Sequence, residues 1–306
     1  MKFVDAKCPN CGAVLKVDDS KEAAICEHCG SAFIVEKAIQ QFNITNVTNN
    51  NINAQTVNII AKEKDFVIEA GVLVKYKGES PIVHVPDNVE SIDGDAWPSN
   101  IREVYLPDSI TELDAHAFSD LKKLQKVVLP KSLTKIGLCC FKNSSITQID
   151  LPESLTEIGN NCFENSSIAN INLPKSLQVI GISAFKNCKN LRNITLNEGL
   201  TRIEAHAFEN SGLTKVAIPA SLKKLGTMAF SMCEDLTKAF IPAQIECVES
   251  NAFFYNAQNA KHNFCEIHCA FKKPLFGPPK GWARDWATDY CIPSWNSTLE
   301  FYEWVL

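Results

Sequence analysis

Between Val85 and Phe253 the apolar residues recur in one arrangement, written eight times. An apolar residue precedes a proline, and an aromatic ring follows eleven residues after it. The pairs are Pro86 with Trp97, Pro107 with Phe118, Pro130 with Phe141, Pro152 with Phe163, Pro174 with Phe185, Pro219 with Phe230 and Pro242 with Phe253; Asn197 stands in for proline before Phe208. Copies 21 to 23 residues long predict a solenoid, each copy one coil stacked on its neighbours. Before the proline, Leu124-x-x-Val127-x-Leu129, Ile146-x-x-Ile149-x-Leu151 and Ile168-x-x-Ile171-x-Leu173 predict short strands. After it, Leu133 and Ile136, Leu155 and Ile158, Leu177 and Ile180, and Leu200 and Ile203 form a second apolar edge. Apolar steps of two and three, without the three-four alternation of an amphipathic helix, predict strands and turns with little helix.

Further columns are phased with the ring. Ala117, Cys140, Cys162, Ala184, Ala207, Ala229 and Ala252 precede it, and a small side chain there lets coils approach while rings stack. Asn143, Asn165, Asn187 and Asn210 lie two residues after it, where a carboxamide can bond turn backbone and continue as a ladder along the solenoid. Cys188 and Cys233 lie three after it, at the position of Ser144, Ser166 and Ser211, and read as buried packing residues. His116 and His206 share one repeat position, as do Asp114 and Glu204. Four coils separate the members of each pair by roughly 20 Å, too far to share a metal or a proton, which argues against catalysis by the array.

The pattern L-x-x-I-x-L-P, then S-L-T-x-I-G, then x-A-F-x-N, seen in Ile168–Pro174, Ser176–Gly181 and Ala184–Cys188, resembles the BspA-type (Treponema-type) leucine-rich repeat. The resemblance implies a mainly β solenoid of about eight coils over residues 65–306, with an N-terminal cap at 65–85, repeats at 86–253 and a C-terminal cap at 254–306. Trp282, Trp286 and Trp295 would then be lid residues over the last coil. It also implies that the strands before the proline line one continuous sheet, usually the concave face. Two-residue alternation points two columns outward there. One is His84, Tyr105, Val128, Asp150, Asn172, Thr195, Ala217 and Phe240; the other is Ile82, Glu103, Lys126, Gln148, Asn170, Asn193, Lys215 and Lys238. Exposed aromatics at Tyr105 and Phe240 among polar neighbours suit a protein partner better than a phosphate backbone.

The first 36 residues follow a different rule. Cys8-Pro-Asn-Cys11-Gly12 and Cys26-Glu-His-Cys29-Gly30 are two C-x-x-C-G turns with fourteen residues between Cys11 and Cys26. Four thiolates so placed can close a tetrahedral shell around one Zn²⁺. Residues 13–17 and 31–35 are predicted strands, and residues 1–36 resemble a short bacterial zinc ribbon. A closed four-coordinate site leaves no position for water, so this zinc is expected to be structural. Residues 37–64 form an Asn-rich connector. Its 43–60 stretch reads either as a flexible linker or as an extended strand that pairs with a second copy into a homodimer.

Charge and cysteine content bound the function. The net charge is −5, and residues 1–65 carry seven lysines, no arginine and eight acidic residues, the wrong balance for nucleic acid. Thirteen cysteines without an apolar leader before Cys8 predict reduced thiols in a cytoplasmic, bacterial protein. No apolar run is long enough to cross a membrane. The expected function is a non-catalytic protein-binding scaffold that presents the strand face, with the ribbon as a second module. The alternative is a nucleic-acid-associated regulator acting through the ribbon.

Overall fold

The computed structural model describes residues 3–7, 14–18, 23–25, 32–34, 63–254, 265–270, 283, 285 and 291–295. Cys8, Cys11, Cys26 and Cys29, residues 37–62 of the connector, Trp282 and Trp286 lie outside them. Near the N-terminus Phe3–Lys7 pairs antiparallel with Val14–Asp18, and Ala23–Ile25 with Ala32–Ile34. The strands expected at 13–17 and 31–35 are thus present.

From Phe66 the chain winds into a β-solenoid, and the described residues contain no α-helix. An antiparallel hairpin of Phe66–Glu69 and Val72–Tyr76 opens it, turned at Ala70 and Gly71 with φ of 49° and 82°. Val72–Tyr76 then pairs in parallel with Ser91–Ile92. After each later proline comes a strand of only two residues. Seven of these, from Glu112–Leu113 to Cys247–Val248, form one unbroken parallel ladder. The second residue of each is buried, while the first faces outward, where Lys135 pairs with Glu157 at 3.4 Å and Lys224 approaches Glu249 at 2.9 Å across the coils. Gly159 is needed for this approach, because a Cβ there would stand 2.7 Å from the backbone of Gly137.

The rings form the second continuous column. Trp97 and the seven phenylalanines from Phe118 to Phe253 stack at centroid spacings of 5.0–5.6 Å with planes within 19° of parallel. Every one of those phenylalanines is fully buried. Toward the N-terminus Tyr76 and Phe66 extend the column with tilted rings. Pro98 does not break it: Trp97 stays in the stack, and its indole N–H donates to the Ala117 carbonyl at 2.9 Å. Asn197 likewise keeps the turn that proline makes elsewhere, since Leu200 N–H reaches its carbonyl at 3.3 Å as Leu133 reaches Pro130.

Two left-handed residues bracket each phenylalanine from Phe118 to Phe230, and one precedes Phe253. Two before it stand His116, Cys139, Asn161, Ser183, His206, Met228 and Asn251, with φ of 54–64°; two after it stand Asp120, Asn143, Asn165, Asn187, Asn210 and Met232, with φ of 56–60°. Left-handed backbone costs an ordinary L-residue about 1–2 kcal/mol. What opposes that cost is a run of backbone bonds into the next coil: Asn161 N–H to Ile182 O at 2.7 Å, Phe163 N–H to Ala184 O at 2.7 Å and Asn165 N–H to Lys186 O at 2.9 Å. The same three bonds recur coil after coil. Asparagine tolerates this conformation better than most residues, and its side chains form the expected ladder. Asn210 donates to Asn187 at 2.7 Å, Asn187 to Asn165 at 2.8 Å, Asn165 to Asn143 at 3.0 Å and Asn143 to Asp120 at 2.8 Å.

The strand side differs from the expectation of one continuous sheet. It is divided among Ile82–His84, Glu103–Tyr105 and Lys126–Val128; then Gln148–Asp150 with Asn170–Asn172; then Lys215–Ala217, Lys238–Ile241, Cys265–Cys269 and Cys291–Trp295. Residues 193–195 hold no ladder. Proline to ring is always eleven residues, whereas ring to first strand position is four from Trp97 to Ile101, five from Phe141 to Ile146 and six from Phe118 to Leu124. The constant arc stacks without a break, and length varies only on the strand side. Gap length alone does not place the breaks, because Glu103–Tyr105 pairs with Lys126–Val128, and Lys215–Ala217 with Lys238–Ile241, across unequal gaps.

Two stability measurements test this frame. Phe163→Ala removes a ring from the middle of the stack and is expected to destabilise the solenoid by about 3–5 kcal/mol in urea unfolding; a loss below about 1 kcal/mol contradicts the stack as the main packing element. Asn165→Ala and Asn165→Gly both delete the ladder bonds and keep the left-handed backbone, but only alanine bears its steric cost. Alanine should therefore be the less stable by about 1 kcal/mol, and equal stability would mean that the backbone conformation carries no penalty.

Candidate partner-binding face

On the strand side the middle residue of each strand is buried and its two neighbours face outward. Lys126 and Val128 flank Val127, Gln148 and Asp150 flank Ile149, and Asn170 and Asn172 flank Ile171, with all six outer residues exposed. Asn193 and Thr195 are exposed in the coil without a ladder, and Lys215 is half-buried. The sequence-derived columns are in register: Ile82, Glu103 and Lys126 align in one, His84, Tyr105 and Val128 in the other.

One expected member does not belong. Phe240 is 5 % exposed and offers no ring to a partner. It points to the expected side of its strand, in register with Ala217 and His268. Alternation fixes the side a residue faces, and burial on that side depends on what else packs there. Tyr105, at the other end of the face, is half-buried.

Tyr105 sits in a small ordered cluster. The His84 ring, from the preceding coil, stacks on it at 4.3 Å with planes 8° apart. Lys126, from the following coil, holds its ammonium 5.1 Å from the ring centroid and 3.3 Å from the phenolic oxygen. The Tyr105 hydroxyl donates to a Glu103 carboxylate oxygen at 2.9 Å. Desolvation lowers the proton affinity of His84 from its ordinary value, against the pull of Glu103. Tyr105 thus has one face stacked by a ring and a cation beside its hydroxyl. The column pattern placed these residues side by side, but the mutual stacking emerges only from the three-dimensional register.

The groups with reactive chemistry are phased with the repeat and neutralised by it. Cys140 and Cys162 are fully buried, and burial holds both thiols well above the ordinary value. Burial pushes Cys188 up to about 12 and Cys233 up to about 11, with their thiols donating to the Phe163 and Phe208 carbonyls at 3.0 and 3.1 Å. Thiols held protonated in this way are poor nucleophiles. His116 and His206 occupy the left-handed position before the ring, and His206 Nδ1 lies 2.7 Å from Glu209. Asp114 accepts from Ser91, and Glu204 lies 3.3 Å from Arg202 and 3.7 Å from Lys224. Among the described residues no three His, Cys, Asp or Glu side chains are arranged to hold a metal. Among the described residues no helix is long and apolar enough to cross a membrane.

Comparison with known proteins places this geometry in a group. Comparison with curated proteins finds no match. A leucine-rich repeat protein from Bacteroides ovatus ATCC 8483 is 18% identical, with 81% of this chain and 69% of that one aligned at a TM-score of 0.50. One from Eubacterium ventriosum ATCC 27560 is 22% identical over 66% of this chain and 59% of that one, TM-score 0.46. A leucine-rich repeat protein of T. pallidum is 23% identical over 63% and 84%, TM-score 0.42. The first shares the solenoid fold. The family described as BspA type leucine rich repeat region matches residues 90–188 and 156–276, with six copies of its repeat. That match spans more than half of the chain, which therefore belongs to the BspA-type leucine-rich-repeat family.

Proposed function

We propose that this chain is a non-catalytic protein-binding scaffold that presents the outer face of its strands to a partner. The observation that carries the reading is the contrast between the two kinds of position in each coil. Ring, asparagine and cysteine columns are consumed in holding coils together, while the strand face displays Glu103, Tyr105, Lys126, Val128, Gln148, Asp150, Asn170, Asn172, Asn193, Thr195, Lys215 and Lys238 on a packed frame, those outside residues 193–195 in three registered ladders. A surface mixing one clamped aromatic, several amides and both signs of charge has the composition of a protein interface rim and core. It lacks the continuous basic track that phosphate binding needs.

A structural zinc in the N-terminal ribbon belongs to the same reading. Each C-x-x-C pair falls in the sequence between two strands that pair antiparallel, Lys7 facing Val14 around Cys8 and Cys11, and Ile25 facing Ala32 around Cys26 and Cys29. Two turns of that kind suit a four-thiolate Zn²⁺ site. None of the eight cysteines from Cys139 to Cys269 is in a disulfide, which supports a reducing compartment such as the cytoplasm.

Affinity capture from the native cell with the wild-type chain and with the Tyr105→Ala/Lys126→Ala variant tests the scaffold. A protein retained by the first and lost from the second is expected; identical recoveries with both would remove the N-terminal end of the strand face from the interface. Elemental analysis of the purified chain is expected to find one zinc per molecule, absent after Cys8→Ser/Cys11→Ser. Wild-type protein without zinc would refute the ribbon site.

A further inference from the structure

On the strand side, neighbouring coils are tied by two kinds of backbone bond. One is the ladder of each strand pair. The other is an entry bond, in which an N–H at or just before a strand donates to the preceding coil. Arg102 reaches Pro81 O at 2.8 Å, Gln125 reaches Arg102 O at 2.7 Å and Ala169 reaches Thr147 O at 2.8 Å. Thr214 reaches Arg192 O at 3.1 Å, Thr237 reaches Thr214 O at 3.0 Å and Glu266 reaches Thr237 O at 2.8 Å. Two junctions have neither. Between Lys126–Val128 and Gln148–Asp150, and between Asn170–Asn172 and residues 193–195, no ladder forms. At those same junctions no N–H of Thr147, Gln148, Arg192 or Asn193 reaches the preceding coil.

The two junctions divide the strand side into three blocks, each fastened across its own coils. In the first, His84 stacks on Tyr105 and Lys126 reaches the Tyr105 hydroxyl. In the second, Gln148–Asp150 pairs with Asn170–Asn172. In the third, the Arg192 guanidinium donates to the Gly212 carbonyl at 3.3 Å and to the Asp235 carboxylate two coils away, which ties residues 193–195 to the C-terminal coils. Side-chain bonds flank the open junctions at the corners: Ser145 donates to Lys122 O at 2.6 Å at the first, and Asn190 to Ser167 O at 3.4 Å and Asn197 to Leu173 O at the second. The opposite arc is continuous at both. Phe141 stacks on Phe163 at 5.3 Å and Phe185 on Phe208 at 5.1 Å. Their N–H groups reach Cys162 O at 2.8 Å and Ala207 O at 2.7 Å, and the short parallel strands stay paired.

We propose that the solenoid bends at these two junctions, so that the three blocks of its strand side swing against one another about the ring arc as a pivot. A hinge needs a place where few bonds must break and an axis that stays packed. Opening either junction on the strand side breaks no ladder and no entry bond, whereas every other junction from Pro81 to Glu266 would lose an entry bond. The pivot tolerates the motion. Trp97 and Phe118 remain stacked at 5.6 Å with their planes 19° apart, against 2–9° along the rest of the column. Such bending changes the curvature of the strand face without changing any side chain on it, and it requires no bound partner.

Pulsed electron paramagnetic resonance on the full chain tests the hinges, with nitroxides attached through p-acetylphenylalanine so that the native cysteines are spared. Labels at Val128 and Thr195 span both junctions on the strand side. Labels at Leu138 and Ala205 span the same three coils, about 15 Å, on the ring arc. The first distance distribution should be at least about twice as wide as the second. Oxidising Asn170→Cys/Asn193→Cys to a disulfide across the second junction should narrow it relative to the same variant kept reduced. In the unlabelled chain, amide exchange followed by NMR should be at least about tenfold faster at Thr147, Gln148, Arg192 and Asn193 than at Gln125, Ala169 and Thr237, after correction for intrinsic rates. Equal widths for the two label pairs, or a width unchanged by the cross-link, would overturn the hinges. Equal exchange at the two sets of amides would do so as well, by showing that the open junctions are held as firmly as the others.

Discussion

Each phenylalanine of this solenoid is buried by rings that belong to other coils, 5.0–5.5 Å away on either side along the run from Phe118 to Phe253. A ring that can be dried only by its neighbours makes the coils interdependent, which is the quasi-one-dimensional cooperativity of repeat proteins. It also constrains geometry more tightly than burial alone does. Parallel stacking demands the same ring orientation in every coil, and orientation is set by the turn that carries the ring. Left-handed residues before and after each phenylalanine from Phe118 to Phe230 fix that turn, and the N–H groups of the ring and of both left-handed residues reach the next coil. From proline to ring nothing can be inserted without tilting a ring out of the stack. The eleven-residue separation is the trace of that prohibition in the sequence.

Length variation therefore collects in the remaining arc, between ring and strand. The strand side is divided into separate ladders while the other sheet runs unbroken through seven strands. The fold thus keeps one half of each coil uniform and leaves the other half free to differ. Binding surfaces on repeat proteins need that freedom, because specificity requires neighbouring coils to present different side chains. The column from Glu103 through Lys126 and Gln148 to Asn170 changes chemistry at nearly every step, whereas the asparagine column four coils long does not change at all.

Most of the frame was legible in the chain. The ring column, the small residue before it, the asparagine ladder and the buried apolar edges follow from side chains that repeat at fixed offsets. The left-handed position before the ring was not legible: His116, Cys139, Ser183 and Met228 share no side-chain property that announces positive φ. Inter-coil hydrogen bonds impose that conformation, so the signal is tertiary. The strand face was legible in direction only. Alternation correctly oriented Tyr105 and Asn172, but it had no means of showing that Phe240 is buried on the side it faces, or that His84 stacks on Tyr105 while Lys126 reaches its hydroxyl. The division of the strand sheet was not legible, because a change between five- and six-residue gaps leaves Lys215–Ala217 paired with Lys238–Ile241 but separates Lys126–Val128 from Gln148–Asp150.

Asn170–Asn172 pairs with Gln148–Asp150 on one side, while residues 193–195 in the next coil carry no ladder. Two coils at this junction are held by the ring stack, by the asparagine ladder and by the short parallel strands after the proline, with little contribution from the strand side.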